Sequence, residues 1–239
     1  MRKMIWIPIA LLSVAAVGFF GIAPGYLETQ MNKVDGKELL VVSPEAEALH
    51  KSLLVVDLHS DTLLWKRDMT QPASRGHEDL PRLQAGNVAL QVFASTTKSP
   101  KGQNYDSNSG DSDNITPLVI AQLQPRRTWT SLLERSLFHA EKLDSAVAAA
   151  DGQLLKVTDE TSFNKLLIAH SRAHGPVGAL LSVEGLHNLE GKAENLDLKL
   201  KVFEALMTGQ VPLGPVNFEL ARLMRYNNYE GYRLGGGLR

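Results

Sequence analysis

The stretch Leu53-Leu-Val-Val-Asp-Leu-His-Ser-Asp-Thr62 decides how the chain is read. Its apolar run has the composition of a strand and ends in His59 and Asp61. Side chains two residues apart along a strand project from one face, so this imidazole and this carboxylate converge on one point. Such a pair suits a divalent ion such as zinc. A strand end with two polar residues meeting solvent has the same spacing, so the pair alone makes no site.

Working outward, strands and helices alternate. Residues 87–94 read as a second strand after Gly86, 154–157 as a short one, 177–183 as an apolar run buried on both faces, and 211–216 as the next. Between them, Ser131 and Glu134 make a capping box, and Trp129, Leu132, Leu133, Leu137, Ala140 and Leu143 form one apolar helical stripe. His139 lies off that stripe and reads as a solvated histidine. Further helices are expected over 159–174, with Phe163, Leu166, Leu167 and His170 on one face, and over 196–208. Residues 76–83 read as a loop. Residues 96–114, rich in Ser, Asn, Asp and Gly, read as an exposed mobile loop; they do not fit a calcium loop, because Gly110 takes a ligand position and Pro117 the closing glutamate's.

This alternation predicts parallel β/α units, an α/β chain carrying about the first five units of a (β/α)8 TIM-type barrel. Glu184 then stands at the C-terminal end of a strand, in the same layer as His59 and Asp61. A carboxylate with two oxygens can bridge two cations about 3.5–4 Å apart. Otherwise a glutamate at a strand end serves structure alone.

Composition bounds the rest. The chain has 239 residues, 25 Lys and Arg against 26 Asp and Glu, and no cysteine. No basic run interleaves with aromatics, so nothing points to nucleic acid, and thiolate sites and disulfides are excluded. At the N-terminus Arg2 and Lys3 precede a charge-free stretch, 4–23, long enough as a helix to span a bilayer. A cleavable signal peptide is the competing reading; its apolar region is ordinarily about 7–15 residues, and Pro24 disfavours cleavage there. Residues 1–27 are therefore expected to anchor the chain in the inner membrane, N-terminus cytoplasmic, with the main domain periplasmic or extracytoplasmic. A linker over 28–43 follows, and then a helix begun by Ser43-Pro44-Glu45 leads into a partial barrel over 44–218.

Three stretches together resemble the membrane (renal) dipeptidases, zinc metallopeptidases built on a (β/α)8 barrel. They are Asp57-Leu-His-Ser-Asp61, then His77-Glu-Asp-Leu-Pro-Arg-Leu83 with Gly86 and Gln91-Val-Phe93, then Ser182-Val-Glu-Gly-Leu-His187, matching in order and spacing. The resemblance implies that His59 and Asp61 hold one zinc and that Glu184 bridges to a second. It also implies that an activated hydroxide attacks the carbonyl of a dipeptide substrate while the metals stabilise the oxyanion. It admits a homodimer. His187 matches a position with no ligand role.

The departures carry equal weight. Gly214-Pro-Val-Asn217-Phe218 stands where the family has a histidine contacting substrate, so Asn217 is the substrate-binding candidate. Beyond Phe218 the likeness ends. Residues 219–239 form an atypical tail with Arg222, Arg225, Arg233, Arg239 and Gly235-Gly-Gly237. In the family this region supplies two histidines for the second zinc, a substrate-binding arginine and an aspartate for proton transfer. The expectation is a C-terminally truncated or frameshifted copy that binds at most about one zinc and has little activity. The alternatives are a non-catalytic membrane-tethered remnant and another metal-dependent amidohydrolase on the same barrel.

Overall fold

A computed structural model describes residues 2–33, 41–170 and 175–191, together with the backbone pairing of four strand segments between 210 and 233. Helix α1 (Arg2–Ala16) runs through a π-helical turn, Val17–Ile22, into α2 (Ala23–Met31). Over Trp6–Met31 the mean hydropathy reaches 2.1 and the apolar side chains are exposed, so this helix is long and apolar enough to cross a membrane or to be a signal sequence. Pro24 does not stop it: it stands in the first turn of α2, directly after the π-helical turn. The linker expected from Glu28 is thus corrected: the helix continues to Met31, and Glu28 is only 2% exposed against the main domain.

Helix α3 (Pro44–Ser52) starts where its cap predicts, the Ser43 hydroxyl accepting from Ala46 N at 3.2 Å. Strand β1 (Val55–Ser60) follows. The loop expected over 76–83 holds a helix start instead: Asp79 caps α4 (Leu80–Ala85), its carboxylate accepting from Arg82 N at 3.0 Å, with Pro81 in the first turn. Then come β2 (Val88–Ser95), α5 (Ile115–Ala121), α6 (Leu132–Ala149), β3 (Leu154–Lys156), α7 (Glu160–His170) and β4 (Val177–Val183).

The four strands are parallel, in the order β1-β2-β4-β3. A barrel segment would place β3 between β2 and β4. Instead β2 and β4 pair directly over six residues each, and the three-residue β3 takes the outer edge of β4. The longer apolar ladder wins. Gly178 makes the contact behind it possible, since a Cβ there would stand 2.3 Å from Leu166 Cδ2 and 2.8 Å from Leu90 Cδ1. Among the described residues the sheet is open and has helices on both faces. Phe93 and Leu181 pack with Leu83 and Leu143 of α4 and α6 on one face, and Leu90 with Leu166 of α7 on the other.

Helix α6 is capped as its box predicts, Ser131 Oγ accepting from Glu134 N at 3.1 Å, but its inward face is rotated. Arg135, Ser136, His139, Leu143 and Ala146 are buried, whereas Leu132, Leu133 and Leu137 are half-buried. His139 is therefore not solvated: it is 1% exposed. The expected strand 211–216 is also corrected. Residues Gln210–Leu213 (β5) pair antiparallel with Val216–Glu219 (β6), and Arg225–Asn227 (β7) with Gly231–Arg233 (β8). Pro212 has no N–H to give to a central ladder, which disfavours the parallel role. The helix expected over 196–208 lies outside the described residues.

Candidate metal centre

Parallel strands bring their C-terminal ends to one edge of a sheet, where open α/β sheets and barrels alike place their chemistry. His59 is the penultimate residue of β1, Asp61 lies just past it, Thr96 follows β2 and Glu184 follows β4. One ligand atom each from His59, Asp61 and Glu184 lies within 4.8 Å of the others, and all three residues are exposed. The convergence is not purely that of a strand. Asp61 has left β1 with φ −89° and ψ 17°, opening the short turn Thr62–Leu64, and its Oδ1 comes 3.4 Å from His59 Nε2.

Thr96 gives the site its electrostatic character. Its hydroxyl lies within hydrogen-bond reach of both Asp61 Oδ1 and, at 2.8 Å, Glu184 Oε2. A hydroxyl has one proton, so it can donate to one carboxylate and not to both. Two carboxylates and an imidazole thus meet with too little positive charge between them. This donor set, nitrogen and oxygen without sulfur, fits a divalent cation such as zinc.

The surrounding loops hold the triad in place. Glu184 N donates to Ser95 O at 3.3 Å, and Asn188 Nδ2 ties the Glu184 and Gly185 carbonyls at 3.2 and 2.9 Å. Gly185 sits at φ +85°, and a Cβ there would come 2.5 Å from His187 Nδ1, so glycine is required. His187 stands back from the triad, Nε2 3.3 Å from Thr97 Oγ1, and burial and then Lys98 hold its pKa below the usual value. Beneath them Arg135 is buried and saturated: it donates to the Thr97 and Thr128 carbonyls at 2.7 Å and to Asp113 at 3.1 Å. This network holds the start of the 96–114 loop inside the fold, where the sequence suggests solvent; residues 101–111 of that loop are exposed or nearly so.

Two further titratable groups lie close by. His139 Nδ1 sits 2.9 Å from Ser95 Oγ, and burial, then Lys142 and Arg135, pull its pKa down to about 3. Glu78 is pushed up to about 7, chiefly by burial and also by Asp57, while the Ser60 hydroxyl works the other way.

No family model and no curated protein matches this chain. The site is therefore described by its own geometry. The structure brings together the three residues read from the sequence as ligands, His59, Asp61 and Glu184. Asn217 lies in β6, paired with Pro212, and its side chain is outside the described residues. Sequence reasoning missed Thr96, Thr97 and Arg135. The signal for Thr96 was present: it follows an apolar strand, as Glu184 does, and the same strand-end rule applies to it.

Proposed function

We propose that this chain is a membrane-anchored, metal-dependent hydrolase of the dipeptidase kind, with one divalent cation, zinc by the resemblance, held by His59, Asp61 and Glu184. The observation that carries the reading is the single Thr96 proton set between two carboxylates. A bound ion of this kind supplies Lewis acidity toward a scissile carbonyl and lowers the pKa of water. Glu184 is the catalytic candidate, one oxygen held by Thr96 and the other left to the ion. Thr96 and the His187 loop fix where that carboxylate stands, and Arg135 fixes Thr97 beneath it. The (β/α)8 barrel of the resemblance belongs to this proposal, with β1 and β4 as the strands that lead to the ligands and β2 as the strand that leads to Thr96.

Turnover is expected to be low. The described residues provide one such cluster, and a missing electrostatic contact to a developing oxyanion commonly costs about a hundredfold to a thousandfold. The anchor is part of the proposal too. Trp6 and Tyr26 stand twenty residues apart, about 30 Å along a helix, which matches the hydrocarbon thickness and the usual depth of interfacial aromatics. Arg2 and Lys3, by the positive-inside tendency, support an N-terminus on the cytoplasmic side.

The test is a zinc-supplemented dipeptidase assay on the full chain in neutral detergent, beside Glu184→Gln, with elemental analysis of both. Bound zinc and weak turnover, both lost in Glu184→Gln, are the expected result. A second reading, a tethered protein that binds metal without turnover, is favoured by the antiparallel β5–β6 pairing, which adds no further parallel strand to the sheet. Bound zinc with no difference in turnover between the two proteins would select it.

A further inference from the structure

The turn that presents Asp61 is held from the N-terminal helix. Asp61 leaves β1 at φ −89° and ψ 17°, its carbonyl accepts from Leu64 N at 3.0 Å, and the Thr62 amide donates to Ser60 Oγ at 3.3 Å. Thr62, Leu63 and Leu64 are all buried. Three side chains then grip this turn from outside it. Lys142 of α6 donates to the carbonyls of Leu63 and, at 2.6 Å, Trp65, and Gln122 Nε2 donates to that of Leu64 at 3.0 Å. The third is Arg67, whose Nη2 donates to the Thr62 hydroxyl at 3.3 Å.

Arg67 has an anchor of its own, and it lies on the helix. Glu28 of α2 faces Arg67 Nε at 2.9 Å, an ion pair without hydrogen-bond alignment, and takes Arg75 Nε at 2.6 Å. The Glu28 and Arg67 side chains are both buried, so their attraction is little screened and the loss of either is costly. Gly76, at φ +78°, gives the guanidinium its room, since a Cβ there would stand 2.7 Å from Nη2. Glu78 and Lys142 also face Arg67, the one attracting and the other repelling. Glu78 is the rival partner, but burial pushes its pKa up to about 7, so near neutral pH it carries only part of a negative charge. Glu28 is therefore the principal counter-charge that keeps the guanidinium beside Thr62.

What Arg67 holds lies one residue from a metal ligand. Thr62 follows Asp61 directly, and Asp61 Oδ1 stands 3.4 Å from His59 Nε2. A turn that slackens by about 1 Å takes that carboxylate out of place beside the imidazole and Glu184. We propose that Arg67 is a positioning residue of the metal centre and Glu28 its fixed end, so that affinity for the ion depends on where the N-terminal helix docks. This rests on the reading of His59, Asp61 and Glu184 as metal ligands.

The test is a competitive zinc titration on the full chain in neutral detergent, run well below the unfolding temperature, with circular dichroism showing that each variant is folded. Thr62→Val keeps the side-chain volume and the Glu28–Arg67 pair and removes the hydroxyl. It should weaken zinc binding by about tenfold, as should Glu28→Gln, whereas Thr62→Ser should bind as the native chain does. Asp61→Asn separates positioning from a general loosening: with that ligand already lost, adding Thr62→Val or Glu28→Gln should weaken binding no further. Unchanged affinity in both Thr62→Val and Glu28→Gln overturns the proposal. So does a second loss of about tenfold on top of Asp61→Asn, which would mark a weakened fold rather than a displaced ligand. A native chain that holds no zinc, or an Asp61→Asn chain that binds as well as the native one, defeats the reading of the site and this inference with it. Zinc held through Asp61 but indifferent to Glu28 and Thr62 defeats the inference alone.

Discussion

The two charged clusters of this chain are built with opposite balances. At the strand ends, two carboxylates and an imidazole stand half in solvent with one hydroxyl proton between them. At the foot of the N-terminal helix, one carboxylate is buried under two guanidiniums, with an ammonium close by. The first is short of positive charge, whereas in the second Glu28 has a guanidinium within 2.9 Å on each of two sides. Exposure separates them further. An open site can exchange an ion with solvent, whereas a buried pair is fixed once the fold closes and is costly to break from one side. The contrast distinguishes a candidate metal site from a joint, although each is a handful of ionic side chains.

The largest effect should come from removing a ligand. His59→Ala is expected to abolish metal retention, and elemental analysis of the native chain should find no more than about one zinc. Two tightly held zinc ions would break the comparison, because the described cluster could not account for them. Next is the joint: Glu28→Leu leaves Arg67 buried without its counter-charge and should destabilise the chain by about 3–5 kcal/mol, read by thermal unfolding in detergent. Glu28→Leu with Arg67→Leu should recover much of this. A single substitution as mild as the double one would show that Glu28 is not the partner the geometry makes it. Smaller again is Thr96→Val, which removes the proton shared by the two carboxylates and should weaken zinc binding by about tenfold to a hundredfold in a competitive titration.

The smallest effect is a pH dependence that is nearly hidden. His139 has a folded pKa of about 3 against an ordinary 6.5, so between these values the unfolded chain holds a proton that the folded one does not, and stability falls as pH falls. Glu78 has a folded pKa of about 7 against 4.5, so across that window the folded chain holds the extra proton and stability falls as pH rises. Between pH 4.5 and 6.5 the two slopes oppose each other. Glu78→Gln should therefore turn a flat region into one where stability drops by up to about 1.4 kcal/mol per pH unit on acidification. Denaturant titrations at pH 4.5 and 6.5 read this directly; a curve still flat in Glu78→Gln would remove His139 from the account.

Much of the scaffold was legible because its signals are local. The Val177–Val183 run, the Ser43 and Ser131 caps and the strand ends bearing His59 and Glu184 are set by neighbours within a few residues. What failed was set by distant partners. His139 looked solvated because apolar periodicity cannot see Ser95, forty-four residues away, and Arg135 drew no reading at all because its partners include Thr97 and Asp113, well before it in the chain. Glu28 looked like linker for the same reason, its counter-charges lying forty-seven residues on for Arg75 and somewhat nearer for Arg67. The strand order was not legible from local signals: the three-residue β3 lies on the outer edge of β4, while β2 holds the long ladder on its other side.

The placement of Glu28 also imposes a timetable. During synthesis the N-terminal helix leaves the ribosome well before Arg67 and Arg75 exist, and Glu184 arrives 125 residues after His59. Contacts so far apart in the chain close slowly, and the earlier partner must wait in water. The helix joint can form once the first third of the chain is made, while His59, Asp61 and Glu184 cannot meet until β4 has slotted beside β2. The chain is therefore held at its foot before it can hold an ion, and pulse-labelled nascent chains should become resistant to protease at the helix joint earlier than they acquire zinc.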